Sequence, residues 1–128
     1  MPGGLGFVDD QAAHHLDASN VGQRVRVLGG KEVLLDKEDF LWHPDDWTEE
    51  VAAALARESG IEHLSEVQWR VIRFLREYFS YHGRAPLNRD LKAGLNMSLM
   101  ELESVFPEGI RRGARRVAGL PNPRMCSG

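Results

Sequence analysis

The sequence predicts a mostly helical α+β domain: an N-terminal β-hairpin, a small helical bundle behind it, and a flexible C-terminal arm. Three observations carry this expectation. Two short segments of alternating polarity flank the pair Gly29-Gly30. The patterns Ser65-x-x-Gln68 and Ser98-x-x-Glu101 each open an apolar stretch as a capping box does. Gly60, Gly83 and Gly119 close stretches of helical period. A chain of 128 residues suits one such domain and is long enough for a real core.

Taken in order, residues 1–20 combine Gly3, Gly4 and Gly6 with a polar run ending at Asn20, and they hold neither the helical nor the strand period. They are read as a mobile N-terminal arm, ahead of a body spanning residues 21–119 and a cysteine-bearing arm spanning 120–128. Arg24-Val25-Arg26-Val27 alternates, the two glycines offer the positive φ of a tight turn, and Glu32-Val33-Leu34-Leu35 resumes an extended pattern. Asp36 to Asp39 is a polar turn, after which Phe40, Leu41 and Trp42 carry apolar surface inward.

His43-Pro44-Asp45-Asp46 reads as the start of a helix with an aspartate cap. Trp47, Val51, Ala54, Leu55 and Glu58 then share one face, and Gly60 ends the run. The longest helix is predicted over roughly 65–82, with Val71, Ile72, Leu75, Tyr78, Phe79 and His82 on its main face. Trp69 and Phe74 lie off that face, which makes this helix central. A short helix follows over 89–95, broken at Asn96-Met97, and another begins at Ser98. Pro107 and Gly109 mark the next break, and a helix over 110–118 carries Arg111, Arg112, Arg115 and Arg116, with Gly113 inside it.

Composition narrows the function. With 42% apolar residues, 27% charged residues and a net charge of −3, the chain has the make-up of an ordinary globular protein. It lacks the run of about 20 apolar residues of a membrane span and the basic, apolar start of a secretory signal, so the expected compartment is the cytoplasm. The charge is unevenly spread: residues 1–83 hold 8 basic and 15 acidic side chains, whereas residues 84–128 hold 8 and 4. Two readings of the basic third stand: an anionic partner, or a solvated helix complementing the chain's own acidic half.

The single cysteine excludes an intrachain disulfide and a multi-cysteine zinc site. Among His14, His15, His43, His63 and His82, only the first two are close, and adjacent residues do not share a helix face, so neither a metal nor any other cofactor is expected. Trp42, Trp47 and Trp69 sit among apolar periodic residues and are read as core. The paired helices over 88–105 resemble a helix-turn-helix. The second of them offers Glu101 and Glu103 and no Lys or Arg, so it is read as a packing motif rather than a reader of phosphates.

Cys126 stands seven residues beyond Gly119, in a tail whose Pro121 and Pro123 favour an extended path, so its thiol reaches roughly 20 Å from the helix end. Arg124 and the arginines at 111, 112, 115 and 116 would stabilise a thiolate, the nucleophile of sulfur exchange. A thiol of pKa near 8.5 is about 3% ionised at pH 7, and one unit of lowering makes that about 24%. Spacing alone leaves the alternative of an incidental terminal cysteine.

Three segments bear on that choice: DKEDFLWHPDDWTEEVAAALARESGI, WRVIRFLREYFSYHGRAP and the terminal RVAGLPNPRMC. Over about residues 24–126 the chain resembles the DsrC/TusE sulfur-relay family, small cytoplasmic carriers with a reactive cysteine on a C-terminal arm. The Gly-Leu-Pro-x-Pro approach to the cysteine is the most specific part. The resemblance implies that Cys126 accepts sulfur as a persulfide and passes it on, in tRNA 2-thiouridine synthesis or in sulfur oxidation, as a cosubstrate more than a catalyst. It implies a sulfurtransferase donor complex of the TusBCD/DsrEFH type, a downstream acceptor enzyme, and roles for Arg124, Arg111, Arg112, Arg115 and Arg116 in stabilising the thiolate or docking partners. Two departures matter. Members serving sulfite reductase carry a second cysteine eleven positions before the last, and here that residue is Arg115; Ser127 and Gly128 also follow the terminal cysteine. The alternative function is a regulatory or nucleic-acid-binding module that keeps the family fold.

Overall fold

The computed structural model describes residues 23–122; the N-terminal arm expected over 1–20 and the end of the C-terminal arm lie outside the described residues. Strands β1 (Arg24–Leu28) and β2 (Lys31–Leu35) form the predicted hairpin, antiparallel with Arg26 opposite Val33 and Leu28 opposite Lys31. Gly29 and Gly30 make its turn at φ of 58° and 78°. Val33 and Leu35 are fully buried, and the far side of β2 is joined by a bridge from Leu35 to Leu41 and by the Trp42 N–H donating to the Leu34 carbonyl at 2.9 Å. Val27 remains well exposed on the outer face of β1.

The first helix starts later than the sequence suggests. Pro44–Asp46 forms a single 3-10 turn, and helix α1 runs Glu49–Glu58 with Thr48, not an aspartate, as its cap: the Thr48 hydroxyl accepts from the Val51 N–H at 3.0 Å. Proline at the start of the 3-10 turn suits its fixed φ, but Trp47 then swings into extended backbone (ψ 139°), and the helix must be capped anew. The buried stripe is accordingly Val51, Ala52, Leu55 and Ala56, with Ala54 at its margin and Glu58 reaching out to pair with Arg26.

Helix α2 (Glu66–His82) has the predicted capping box in both directions, Gln68 N–H to Ser65 Oγ at 3.2 Å and Ser65 N–H to Gln68 Oε1 at 2.8 Å. Its closing glycine, Gly83, is left-handed and donates to the Phe79 carbonyl. Val71, Ile72 and Leu75 are buried as expected, whereas Tyr78 and Phe79 are half-buried and His82 is exposed, its ring 4.0 Å from that of Tyr78. The last turn of α2 therefore lies at the edge of the core, with Phe79 packed against it and His82 outside. Helix α3 (Asn88–Leu95) begins where the Asp90 carboxylate takes the Leu87 N–H at 3.0 Å, a bond that holds the Asp90 carboxyl below the usual carboxylate range. Helix α4 (Leu99–Val105) opens on the second reciprocal capping box, Ser98 with Glu101.

The helix expected over 110–118 is divided. Ile110–Ala114 is a π-helical turn, closed by the Arg115 N–H donating to the Ile110 carbonyl, and only Arg115–Val117, here α5, is α-helical. Gly113 sits where a Cβ would lie 2.9 Å from the Phe106 Cβ, so the close approach of this turn to the end of α4 depends on its bare backbone. One core unites the elements, with Leu35, Leu55, Ile72, Leu91, Leu102, Phe106 and Val117 among its buried members.

The hairpin turn offers a paired test of packing against backbone strain. A Cβ on Gly30 would meet open space, while one on Gly29 would lie 2.5 Å from the Glu50 carbonyl carbon and 2.7 Å from its oxygen. Gly30→Ala should cost about 1–2 kcal/mol for its left-handed backbone. Gly29→Ala should cost that plus about 1–3 kcal/mol of overlap with α1. Urea midpoints at constant m-value check the order; equal losses would mean that the turn does not bear on α1.

Candidate functional site

The candidate site is the place where the C-terminal segment leaves the body, and it is built from three parts of the chain. Helix α5 ends with the Val117 and Ala118 carbonyls pointing beyond their own helix, where no intrahelical donor reaches them. The indole Nε1–H of Trp47 donates to the Val117 carbonyl at 2.9 Å, and Arg76 Nη1 donates to the Ala118 carbonyl at 3.1 Å. The same Arg76 nitrogen donates to the Pro44 carbonyl at 3.2 Å, and its guanidinium lies 4.4 Å from the Trp47 ring centre. Burial lowers the Arg76 pKa, opposed by the charge of Asp45, and the group remains a cation at any ordinary pH. Gly119 follows at φ 75°, and a side chain there would overlap the Trp47 ring.

Beyond Gly119 the backbone stays packed. The Leu120 N–H donates to the Arg115 carbonyl at 3.1 Å, and its side chain is fully buried. Asn122 is 6% exposed, and its Nδ2 lies 2.9 Å from Asp36 Oδ2 and 2.9 Å from Glu38 Oε1. Glu38 Oε1 also meets Arg112 Nη1 at 3.4 Å. Residues 120–122, assigned to the arm on sequence, thus lie against the body, and the span still to be crossed to Cys126 is four residues rather than seven.

The arginines singled out by sequence separate in space. Arg111 is exposed, Arg112 is exposed and paired with Glu38, and Arg115 is half-buried. Arg116 is buried: Nε donates to the Arg112 carbonyl at 3.2 Å, Nη2 to the Leu55 carbonyl at 3.3 Å and to Ser59 Oγ, and Glu108 Oε1 lies 3.7 Å away. Desolvation lowers its pKa while Glu108 and Glu58 raise it. Its donors face inward, tying α5 to the end of α1. Cys126 and Arg124 lie outside the described residues. No group of three or more potential metal ligands occurs among the described residues, and no helix there is long and apolar enough to cross a membrane.

Sequence reasoning missed Asp36, Glu38, Asn122 and Arg76. Asp36 and Glu38 were legible only as turn formers, and their partner Asn122 stands 86 and 84 positions away respectively. A buried polar residue between two prolines, Pro121 and Pro123, is the one local sign that Asn122 has a partner. Trp47 was read as core, which holds for its ring but not for its N–H.

Comparison with known proteins gives concordant results. The family described as "DsrC like protein" matches residues 27–127. The chain is 35% identical over 97 residues to "Sulfite reductase, dissimilatory-type subunit gamma" of Nitratidesulfovibrio vulgaris, covering 76% of this chain and 92% of that one. It is 36% identical over 106 residues to "Sulfurtransferase TusE" of Sodalis glossinidius, covering 77% and 97%. The crystal structure of the oxidized gamma-subunit of the dissimilatory sulfite reductase (DsrC) from Archaeoglobus fulgidus superposes with a TM-score of 0.70 at 37% identity, over 78% of this chain and 96% of that one.

If Arg76 holds the end of α5, Arg76→Met should keep its bulk over Trp47 and lose both carbonyl bonds. Hydrogen bonds from charged donors are worth about 1.5–3 kcal/mol, so local opening there should become roughly tenfold or more easier. Amide exchange at Gly119 and Leu120 should accelerate by that factor relative to the core of α2. Uniform acceleration throughout the molecule would show that Arg76 serves global stability alone.

Proposed function

The chain belongs to the DsrC-like protein family, a sulfur-relay family, and on that ground we propose that it is a sulfur carrier whose working group is the thiol of Cys126. The observation that carries the reading is the terminal Gly119-Leu120-Pro121-x-Pro123-x-x-Cys126 segment, joined to a body whose last helix is clamped by Trp47 and Arg76. The matched region, residues 27–127, includes that cysteine.

The chemistry requires no cofactor. The Cys126 thiolate attacks the outer sulfur of a donor persulfide R–S–SH; a new S–S bond forms on Cys126, the donor's S–S bond breaks, and R–S⁻ leaves with the electron pair. The product is Cys126–S–SH, and the same exchange, with an acceptor thiolate attacking the outer sulfur, discharges it. No net oxidant or reductant is consumed. Arg124, two residues away, raises the thiolate fraction, and Arg111 and Arg112 on the exposed side of the π turn meet acidic partners. The donor is a sulfurtransferase complex of the TusBCD/DsrEFH type and the acceptor an enzyme of tRNA 2-thiouridine synthesis or of sulfur oxidation, in the cytoplasm. With Arg115 where some relatives have a second cysteine, the carrier works with a single thiol.

Incubation with a sulfurtransferase and a sulfur source should add about 32 Da, one sulfur atom, to the intact mass. The increment should vanish with dithiothreitol and be absent from Cys126→Ala. A chain that takes up no sulfur, or a Cys126→Ala variant that takes up as much as the parent, refutes the proposal. Binding to nucleic acid that survives Cys126→Ala and falls when Arg111 and Arg112 are neutralised would support the regulatory alternative.

A further inference from the structure

The departure point of the C-terminal segment is held by one amide set between two carboxylates. Both hydrogens of the Asn122 amide have anionic acceptors, Asp36 Oδ2 and Glu38 Oε1, each at 2.9 Å. Asp36 is 7% exposed, and its other oxygen, Oδ1, takes the Glu38 N–H at 2.8 Å and the Phe40 N–H at 3.0 Å. The carboxylate is therefore oriented by the turn that follows β2 before it meets Asn122. Bonds to an ionised acceptor are stronger than neutral ones, and burial makes a mismatch costly. A side chain of the same shape bearing two oxygens would face Asp36 and Glu38 with lone pairs alone.

We propose that Asp36 is a positioning residue for sulfur transfer, acting through Asn122 to fix where the Cys126 segment leaves the body. This rests on the sulfur-carrier reading. Cys126 is the fourth residue after Asn122, so its Cα is confined to within about 14 Å of that of Asn122, whatever path the chain takes. Without the Asn122 bonds the last firm anchor is Leu120, six residues from Cys126, and the limit becomes about 21 Å. The accessible volume grows roughly threefold, and the effective concentration of the thiol at a docked partner's pocket falls in proportion. Asp36 thus shortens the tether without touching the sulfur.

The lone cysteine permits a direct test on the full-length chain. A nitroxide attached to Cys126 broadens the NMR signals of amides it approaches, and the set of broadened residues maps its reach. Asn122→Asp keeps shape and removes the donor; Asn122→Ala removes the amide without adding charge. Either should spread the broadening to residues farther from Asn122. Combining Asp36→Asn with Asn122→Asp restores the bond between these two positions and leaves an oxygen for the turn, so the footprint should contract part of the way, with Glu38 still facing an oxygen. An unchanged footprint in both single variants, or no contraction in the double variant, overturns the proposal. Persulfide loading from a small polysulfide reads the thiol itself: failure in the parent chain refutes sulfur carriage, whereas normal loading beside an unchanged footprint refutes only the role of Asp36.

Discussion

The structure turns on how the last carbonyls of α5 are satisfied. A helix end buried without donors is unstable, because each orphan carbonyl loses water and gains nothing. Here the Val117 and Ala118 carbonyls take the Trp47 indole N–H and the Arg76 guanidinium. One donor comes from the approach to α1 and the other from the middle of α2, so two elements far apart in sequence converge on the same helix terminus. The cation also complements the negative end of the helix. Because the guanidinium lies over the indole ring, the two donors hold each other as well as their acceptors. Gly119 can then turn at positive φ against the same ring, and Leu120 enters the core. Everything beyond depends on that exit.

The charge asymmetry of the sequence resolves into two kinds of arginine. Arg116 belongs to the interior, where Ser59 and Glu108 surround it and its donors meet the Leu55 and Arg112 carbonyls. Arg112 pairs with Glu38 across 74 positions. These contacts favour the reading in which part of the basic third complements the chain's own acids. The Arg112 side chain is largely exposed and its 3.4 Å contact with the mostly covered Glu38 is long, so the pair adds little stability and the guanidinium is free to turn to a partner's carboxylate. Arg111, on the exposed side of the π turn, keeps the other reading open, as do the exposed Arg84, Arg89 and Lys92.

What could be read from the sequence follows the range of the interactions involved. The hairpin, both capping boxes and the closing glycines at 60 and 83 are set by residues within four positions of each other, and the structure has them. The start of α1 was misplaced because aspartate and threonine are both good caps, and the choice between them fell to Trp47, whose indole is drawn away to Val117 across 70 positions. The division of the 110–118 helix was signalled by Gly113 but not specified by it, since the glycine only permits the close approach of this turn to Phe106 and Glu108. Of the candidate site, the cysteine and arginines stand out in the sequence by type and position, whereas the Asp36–Asn122 pairing is a tertiary contact with no periodic signature.

A single thiol also constrains what the chain can do with sulfur. In a protein with two cysteines, an internal thiolate can attack a persulfide and expel its sulfur by closing a disulfide. With Arg115 in that place and no other cysteine in the chain, no internal nucleophilic sulfur exists. On the proposed reading, sulfur carried on Cys126 would leave only by attack from another molecule, and discharge would be conditional on docking. Such a carrier gains from a short, fixed tether, since a partner that recognises the body must find the sulfur at a set distance from it. On that reading the buried bond between Asp36 and Asn122 would limit that distance on the protein side, and Arg111 and Arg112, exposed on the π turn, would be open to a partner's acidic groups.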